Sequence, residues 1–150
     1  MKESKKQSMI YRFKKITILG CGQIGLNTAI KMSDSGNIVT VIDKIPEKLT
    51  SLPEERIESR RIIPIIGDGT LESVLRGAST QDADVYIATT DDTSVNLMSS
   101  LVANYIFQVP EITSIVHHQG LEEFANKCGI SIINPLSLMI EKLSDLNHNS

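Results

Sequence analysis

The sequence predicts an α/β fold, a doubly wound and mostly parallel six-stranded sheet with helices on both faces. Three observations predict it. Short runs of β-branched, apolar residues alternate with segments whose apolar residues recur at helical spacing, and the alternation occurs six times. Parallel neighbours require crossover connections, which the intervening helices supply. The 150 residues, 41% hydrophobic and 22% charged, suit one domain with a core of its own. No internal repeat or low-complexity tract competes with this reading.

Residues 16–19, reading I-T-I-L, form a short buried strand that runs directly into glycines. Leu26, Ala29, Ile30 and Met32 follow at helical spacing and Ser35-Gly36-Asn37 supplies a stop, which places a helix over 23–35. Residues 38–42 (I-V-T-V-I) are the second strand, closed by Asp43, and Pro46 starts a short helix. A third strand over 62–66 contains Pro64, which requires an edge position or a strand start, where no ladder donor is needed. Leu71, Val74 and Leu75 mark a short amphipathic helix, and after a polar link at 81–84 the fourth strand runs over 85–88.

The strongest helical pattern covers 94–107, where Val95, Leu97, Met98, Leu101, Val102, Tyr105 and Ile106 spread over a face wide enough to pack on more than the sheet. Residues 112–116 are the fifth strand, 121–127 a helix ended by Gly129, and 130–133 the sixth strand. Pro135 opens a last helix over 136–146, whose Leu136, Met139, Ile140 and Leu143 need a partner surface, and the polar residues 147–150 fray into solvent.

Composition excludes several classes of function. A formal charge of −3 provides no basic field for a nucleic acid. The basic residues that do cluster, Lys2, Lys5, Lys6, Arg12, Lys14 and Lys15, all precede the first strand; they read as a solvated leader, a linker remnant or a weak membrane-surface contact. No apolar stretch approaches the roughly 18–20 residues of a membrane-spanning helix, and no apolar signal segment opens the chain. Cys21 and Cys128 are too few and too far apart to be staples, so both are expected as free thiols in a reducing cytosol.

The chemistry gathers at the first turn. Gly20-x-Gly22-x-x-Gly25 follows a strand, opens a helix, and is followed 18 residues after Gly25 by Asp43 at the end of the second strand. In a Rossmann-type βαβ unit the first glycine allows the turn, the second admits a pyrophosphate to the backbone, and the third lets helix pack on sheet. Gly20, Cys21, Gly22, Gln23, Ile24 and Gly25 therefore form a phosphate-binding turn, where free N–H groups and the helix dipole favour negative charge. Asp43 is placed for ribose hydroxyls and would repel a 2′-phosphate, which favours NAD over NADP; Lys44, next to it, either softens that preference or is simply solvated. The alternative is a glycine turn beside an incidental aspartate.

Further candidates stand at later strand ends. Gly67, Asp68, Gly69 and Thr70 follow the third strand, with Asp68 facing adenine or ribose and Thr70 capping the next helix, or all four forming a plain turn. Thr89 and Thr90 follow the fourth strand, bordering the cofactor, and Asp91 or Asp92 caps the helix after it. His117 and His118 end the fifth strand. Too few ligands converge there for a metal, so nearness of His117 to the pyrophosphate is the better reading. The Tyr11-to-Lys15 pair precedes the first strand and cannot reach a nicotinamide ring as a reductase pair would, so no catalytic residue is assigned. The chain thus divides into a polar basic leader at 1–15, a Rossmann-type nucleotide-binding domain at 16–134, and a C-terminal crossover or interface helix with its tail at 135–150.

I-T-I-L-G-C-G-Q-I-G, V-I-D ending at Asp43, G-D-G-T at 67–70, D-A-D-V-Y-I-A-T-T-D-D from Asp82, S-V-N-L-M from Ser94 and I-I-N-P ending at Pro135 together resemble, in that order, the TrkA-N domain, the N-terminal half of RCK (regulator of K+ conductance) proteins. The resemblance runs from about Ile16 to Pro135. It implies a cytoplasmic regulatory domain that binds NAD or NADH, or in some relatives ATP, ADP or AMP, and gates an integral-membrane potassium channel or transporter subunit as a homodimer or higher homo-oligomer. It also implies that Gly20, Gly22 and Gly25 hold phosphates, Asp43 the ribose, and Asp68 and Thr70 the adenine side, with Thr89 bordering the ligand. Gln23 resembles the NAD-type regulators, whereas ATP-binding relatives often carry Arg there. Two departures stand out: Gly69 replaces the usual Ala of G-D-A-T, and His117 stands where an Arg is common. The smaller regulatory domain that follows the last helix in such proteins is missing from this sequence, so the expectation is either a shortened chain or a protein that relies on other chains. The rival readings are an NAD-dependent dehydrogenase, for which a substrate pocket and an acid or base beside the nicotinamide are wanting, and a scaffold that has lost its ligand.

Overall fold

The computed structural model describes residues 12–148. Lys2, Lys5 and Lys6 of the expected leader, Tyr11, and the last two residues of the tail lie outside them.

Six strands, β1 (Lys15–Leu19), β2 (Ile38–Asp43), β3 (Ile62–Ile66), β4 (Val85–Ala88), β5 (Glu111–Ile115) and β6 (Ser131–Ile133), form one sheet in the order β3-β2-β1-β4-β5-β6. All five pairings are parallel, with Ile18 beside Val41 on one side and Ile87 on the other. The helices are α1 (Gln23–Asp34), α2 (Pro46–Leu49), α3 (Glu54–Glu58), α4 (Glu72–Gly77), α5 (Thr93–Tyr105), α6 (Glu122–Lys127) and α7 (Pro135–Asp145). Because the chain winds outward from β1 to β3 and then returns to β4, the carboxyl ends of β1 and β4 diverge at a switch point, where doubly wound sheets bind ligands.

Two apolar clusters sandwich the sheet, and neighbouring residues of one strand serve opposite clusters as the two-residue strand period requires. Ile18 and Val41 join Ala29 of α1 and Leu49 of α2 on one face; Leu19 and Ile42 join Leu75 of α4, Ala103 of α5 and Ala125 of α6 on the other. β3 is an edge strand, so Pro64 is tolerated as expected. Gly36 and Gly129 follow the ends of α1 and α6 with φ of +89° and +73°, the left-handed conformation that stops a helix.

The sequence reading needs correcting at four places in the fold. α3 was not anticipated; it starts directly after Pro53, and Leu52 and Ile57 pack it onto the core. The polar link before β4 contains a 3-10 turn at Thr80–Asp82. Thr70 does not cap α4, whose N-cap position is Leu71, without a side-chain bond. α5 rests on the sheet through small and polar residues, Asn96, Ser99, Ser100 and Ala103, while Met98, Tyr105 and Ile106 of its apolar face are exposed. α7, capped by Asn134 through the amides of Leu136 and Ser137, buries none of its residues, and Leu136, Met139, Ile140 and Leu143 stand in solvent. Among the described residues no helix is long and apolar enough to cross a membrane.

Candidate nucleotide site

The turn after β1 is shaped by its glycines. Gly20 has φ +99°, a conformation other residues rarely adopt. At Gly25 a Cβ would lie 1.9 Å from the Gly20 carbonyl oxygen and 2.7 Å from Thr89 Oγ1, so only glycine lets α1 come this close to the turn and to β4. Gly22, at the N-cap of α1, is the opposite case. It has extended backbone and nothing within 4 Å of a Cβ, so its free side faces open space at the positive end of a twelve-residue helix.

That space is a cleft of about 320 Å³ across the switch point, a size typical of small-ligand sites. It collects residues from four strand ends: Leu19, Gly20 and Gly22; Asp43, Lys44, Ile45 and Lys48; Gly67, Asp68, Gly69 and Thr70; Thr89, Thr90, Asp91, Asp92 and Val95. Ten of the predicted site residues therefore line one cavity. Cys21, Gln23, Ile24 and Gly25 belong to the same turn without lining it, and His117 lies outside the lining altogether. His117 is exposed, and its amide donates to Thr93 Oγ1 (3.0 Å).

Hydrogen bonds hold the cleft's walls in register. The buried Asp43 carboxylate accepts from the Cys21 amide through one oxygen (2.8 Å) and from the Ile45 amide through the other (2.9 Å). It thus ties the glycine turn to the end of β2, a structural task the sequence reading did not give it; each oxygen keeps a second lone pair for a ligand. Thr89 is buried beneath the turn, where its hydroxyl donates to the Leu19 carbonyl (2.9 Å). Asp68 Oδ1 accepts from both the amide and the hydroxyl of Thr70, which together with the nearby Lys44 hold its carboxyl below the usual carboxylate range. Burial, reinforced by the Asp43 charge, pushes the Cys21 thiol up. Gly69 lies so close to Leu19 that a Cβ would meet its Cδ1 at 2.3 Å.

Two contributors escaped the sequence reading. Lys48 of α2 lines the cleft four residues beyond Lys44; the signal was the helix start at Pro46, which turns position 48 back towards the strand end. Asn96, wholly buried, accepts from the Thr90 amide (3.0 Å) and hydroxyl (2.6 Å) and donates to the carbonyls of Thr90 and Ile115 (both 2.9 Å), locking the β4 end to β5. Asp92 caps α5 through the amides of Ser94 and Val95, as one of the two caps considered.

Residues 16–135 match the sequence pattern of the TrkA-N domain. Among curated proteins, the Trk system potassium uptake protein TrkA of Halomonas elongata is 36% identical over 96 residues, 64% of this chain but 20% of that protein. The chain is therefore similar to a fifth of a longer relative. Among solved structures, the TrkA-N domain of the inner membrane protein ybaL from Escherichia coli superposes with a TM-score of 0.76 at 14% identity, covering 91% of this chain and 98% of that one. The GsuK channel bound to NAD superposes at 0.65 with 18% identity, over 83% of this chain and 22% of that one. At such identities the structural likeness speaks for the fold, and the match over residues 16–135 establishes the family: the chain belongs to the TrkA-N domain family.

Proposed function

We propose that this chain is the nucleotide-sensing regulatory domain of a potassium channel or K+ transport system, and that it holds NAD or NADH in the cleft at the switch point. The observation that carries the proposal is the open side of Gly22: this residue, at the N-cap and so at the positive end of α1, lines a cavity of about 320 Å³ that Asp43, the carboxylate proposed to meet the ribose, also lines. In this reading the backbone from Gly20 through Cys21, Gly22, Gln23 and Ile24 to Gly25 holds the pyrophosphate. Asp43 and Lys44 meet the ribose, residues 67–70 the adenine side, and Thr89 and Thr90 border the remainder. ATP, ADP or AMP would occupy the adenosine half alone. His117 takes no direct contact.

The curated relative named as a Trk system potassium uptake protein supports this assignment by family, and the NAD-bound channel supports it by fold. The partner is then an integral-membrane transport subunit, which places the domain at the cytoplasmic face. The unpartnered apolar residues of α5 and α7 support self-association, through which occupancy of the cleft would bias one of two assembled states. The role is regulatory rather than catalytic.

Calorimetric titration with NADH, NAD, ADP and ATP tests the proposal, with ultracentrifugation of the same samples. Saturable binding of a dinucleotide to an oligomer, without turnover of NADH, is the expected result. Absence of binding to all four nucleotides would leave a scaffold, and NADH oxidation on adding a substrate would make the chain an enzyme.

A further inference from the structure

We infer that the amino-terminal end of the sheet, the end opposite the cleft, is a membrane-surface contact: Arg12, Lys14, Lys15, Arg60 and Arg61, with Phe13 among them, seat the domain on the anionic headgroups of a lipid bilayer. The choice of a bilayer rests on the reading above that the chain serves an integral-membrane transport subunit; the existence of the basic face does not.

Charge is unevenly spread along the chain. The first 15 residues hold six lysines and arginines against one acidic residue, Glu3, in a chain whose net charge is −3. The fold then brings two more cations to the end of that segment. Because every pairing is parallel, the strands all start at one end of the sheet, and there β2 has Lys14 on one side and Arg61 on the other. The Ile38 amide donates to the Lys14 carbonyl (3.1 Å) and the Val39 amide to the Arg61 carbonyl (2.8 Å). Two strand spacings, about 10 Å, therefore separate basic stretches that are far apart in sequence. Arg60 holds the left-handed position that ends α3, with φ +58°, and the Arg60 and Arg61 amides close the turn on the Ile57 and Arg56 carbonyls (both 3.0 Å). Glycine is the usual residue at such a position, so an arginine is kept here against a conformational cost.

All five basic residues are exposed, and the side chains of Arg12, Lys15, Arg60 and Arg61 make no hydrogen bond or ion pair among the described residues. Lys14 meets Glu111 at 3.4 Å, and Arg56 of α3 is taken up by Asp34 and Glu55. Glu58 precedes the arginines, whereas Asp82, Asp84 and Glu111 stand at the starts of β4 and β5, on the other half of the sheet. Phe13 is 49% exposed between Arg12 and Lys14. Free cations around an exposed aromatic ring suit a headgroup layer, which receives the charges among its phosphates and the ring at its apolar boundary. A nucleic-acid duplex has no such boundary, and the net charge of −3 opposes its approach. Seated in this way, the domain turns its cleft, at the carboxyl ends of the strands, away from the bilayer.

Cosedimentation of the whole chain with vesicles tests this, using phosphatidylcholine alone and phosphatidylcholine with about 30 mol% phosphatidylglycerol. Binding is expected to the anionic vesicles only and to be lost at about 0.5 M salt. Each unpaired cation contributes about fivefold in affinity, so Arg61→Gln and Lys15→Gln should each weaken binding by about that factor, while Lys142→Gln on α7 leaves it unchanged. Absence of binding to anionic vesicles, equal binding to neutral ones, or an affinity that neither Arg61→Gln nor Lys15→Gln alters overturns the inference. Tighter binding of a duplex DNA oligonucleotide than of anionic vesicles at the same salt overturns it in favour of a nucleic-acid surface. Calorimetric titration of the same samples with NADH separates the two readings: nucleotide binding without vesicle binding strikes this inference alone, and vesicle binding with the expected substitution pattern but no nucleotide binding upholds it while striking the nucleotide site.

Discussion

Two glycines three residues apart should respond to substitution in opposite ways. Gly25→Ala places a methyl group 1.9 Å from the Gly20 carbonyl oxygen, and ordinary contact begins near 3.4 Å, so α1 must withdraw by about 1.5 Å. The struck atom is backbone and cannot swing aside. Overpacking of this kind costs about 1–3 kcal/mol; at the upper end, for a chain of this length, the melting temperature falls by roughly 6–12 °C. Gly22→Asp meets nothing within 4 Å, and aspartate is a favoured N-cap, so the unliganded melting temperature should hold or rise slightly. Its carboxylate would occupy the place proposed for phosphate. A ligand at a hundred times its Kd stabilises by about 2.7 kcal/mol, or roughly 5–10 °C here, and Gly22→Asp should abolish that increment entirely. Thermal melts of both variants with and without NADH read all four quantities. Gly25→Ala melting like the unaltered chain would refute the packing argument, and a full NADH shift in Gly22→Asp would refute the placement of the phosphate.

Two further outcomes follow from the hydrogen bonds around the cleft. Asn96→Ala leaves the Thr90 amide and the Ile115 carbonyl without their partner in a buried setting, and urea denaturation should show a loss of about 2–4 kcal/mol, with weaker nucleotide binding because the β4 end is no longer fixed. The raised pKa of Cys21 means that the folded chain keeps its thiol proton where the unfolded chain loses it, so this group's stabilising contribution is complete below the unfolded thiol value of about 8.5 and declines as pH rises past it. Iodoacetamide should accordingly modify Cys128 first and Cys21 only once denaturant is added, a difference that peptide mass mapping resolves.

The parts of the fold legible in the sequence were those written in local periodicity and punctuation. Residues 16–25 combine an apolar run, three spaced glycines and a helical pattern, and each signal survives without knowledge of the rest of the chain. Pro64 even disclosed that β3 lies at an edge. α5 shows where periodicity misleads: its large apolar residues trace a convincing face, yet the side that meets the sheet is lined by Asn96, Ser99, Ser100 and Ala103, because close helix–sheet approach favours small residues. α3 carries two glutamates in its first turn and only Leu52 and Ile57 as anchors, too short a pattern to register.

At the candidate site, residue identity was legible and partnership was not. Asp43 could be placed at a strand end by counting, but its bond to the Cys21 amide depends on β1 and β2 ending at the same level, which the Leu19-to-Ile42 register provides. The Asn96 lock joins residues 19 positions apart, from Asn96 to Ile115, and exists only after α5 has docked. His117 shows the converse: a strand-end position suggested a ligand contact, and His117 is not among the residues that line the cleft.

The account turns on whether the cleft at the β1–β4 switch point is the nucleotide site. Titrating isotopically labelled chain with NAD+ and following its backbone amide resonances tests this directly. The account predicts that the largest shifts fall at Gly20 to Gly25, at Asp43 to Ile45, at residues 67–70 and at Thr89 to Asp92. Shifts confined to α5, α6 and α7, or none at saturating nucleotide, would contradict it.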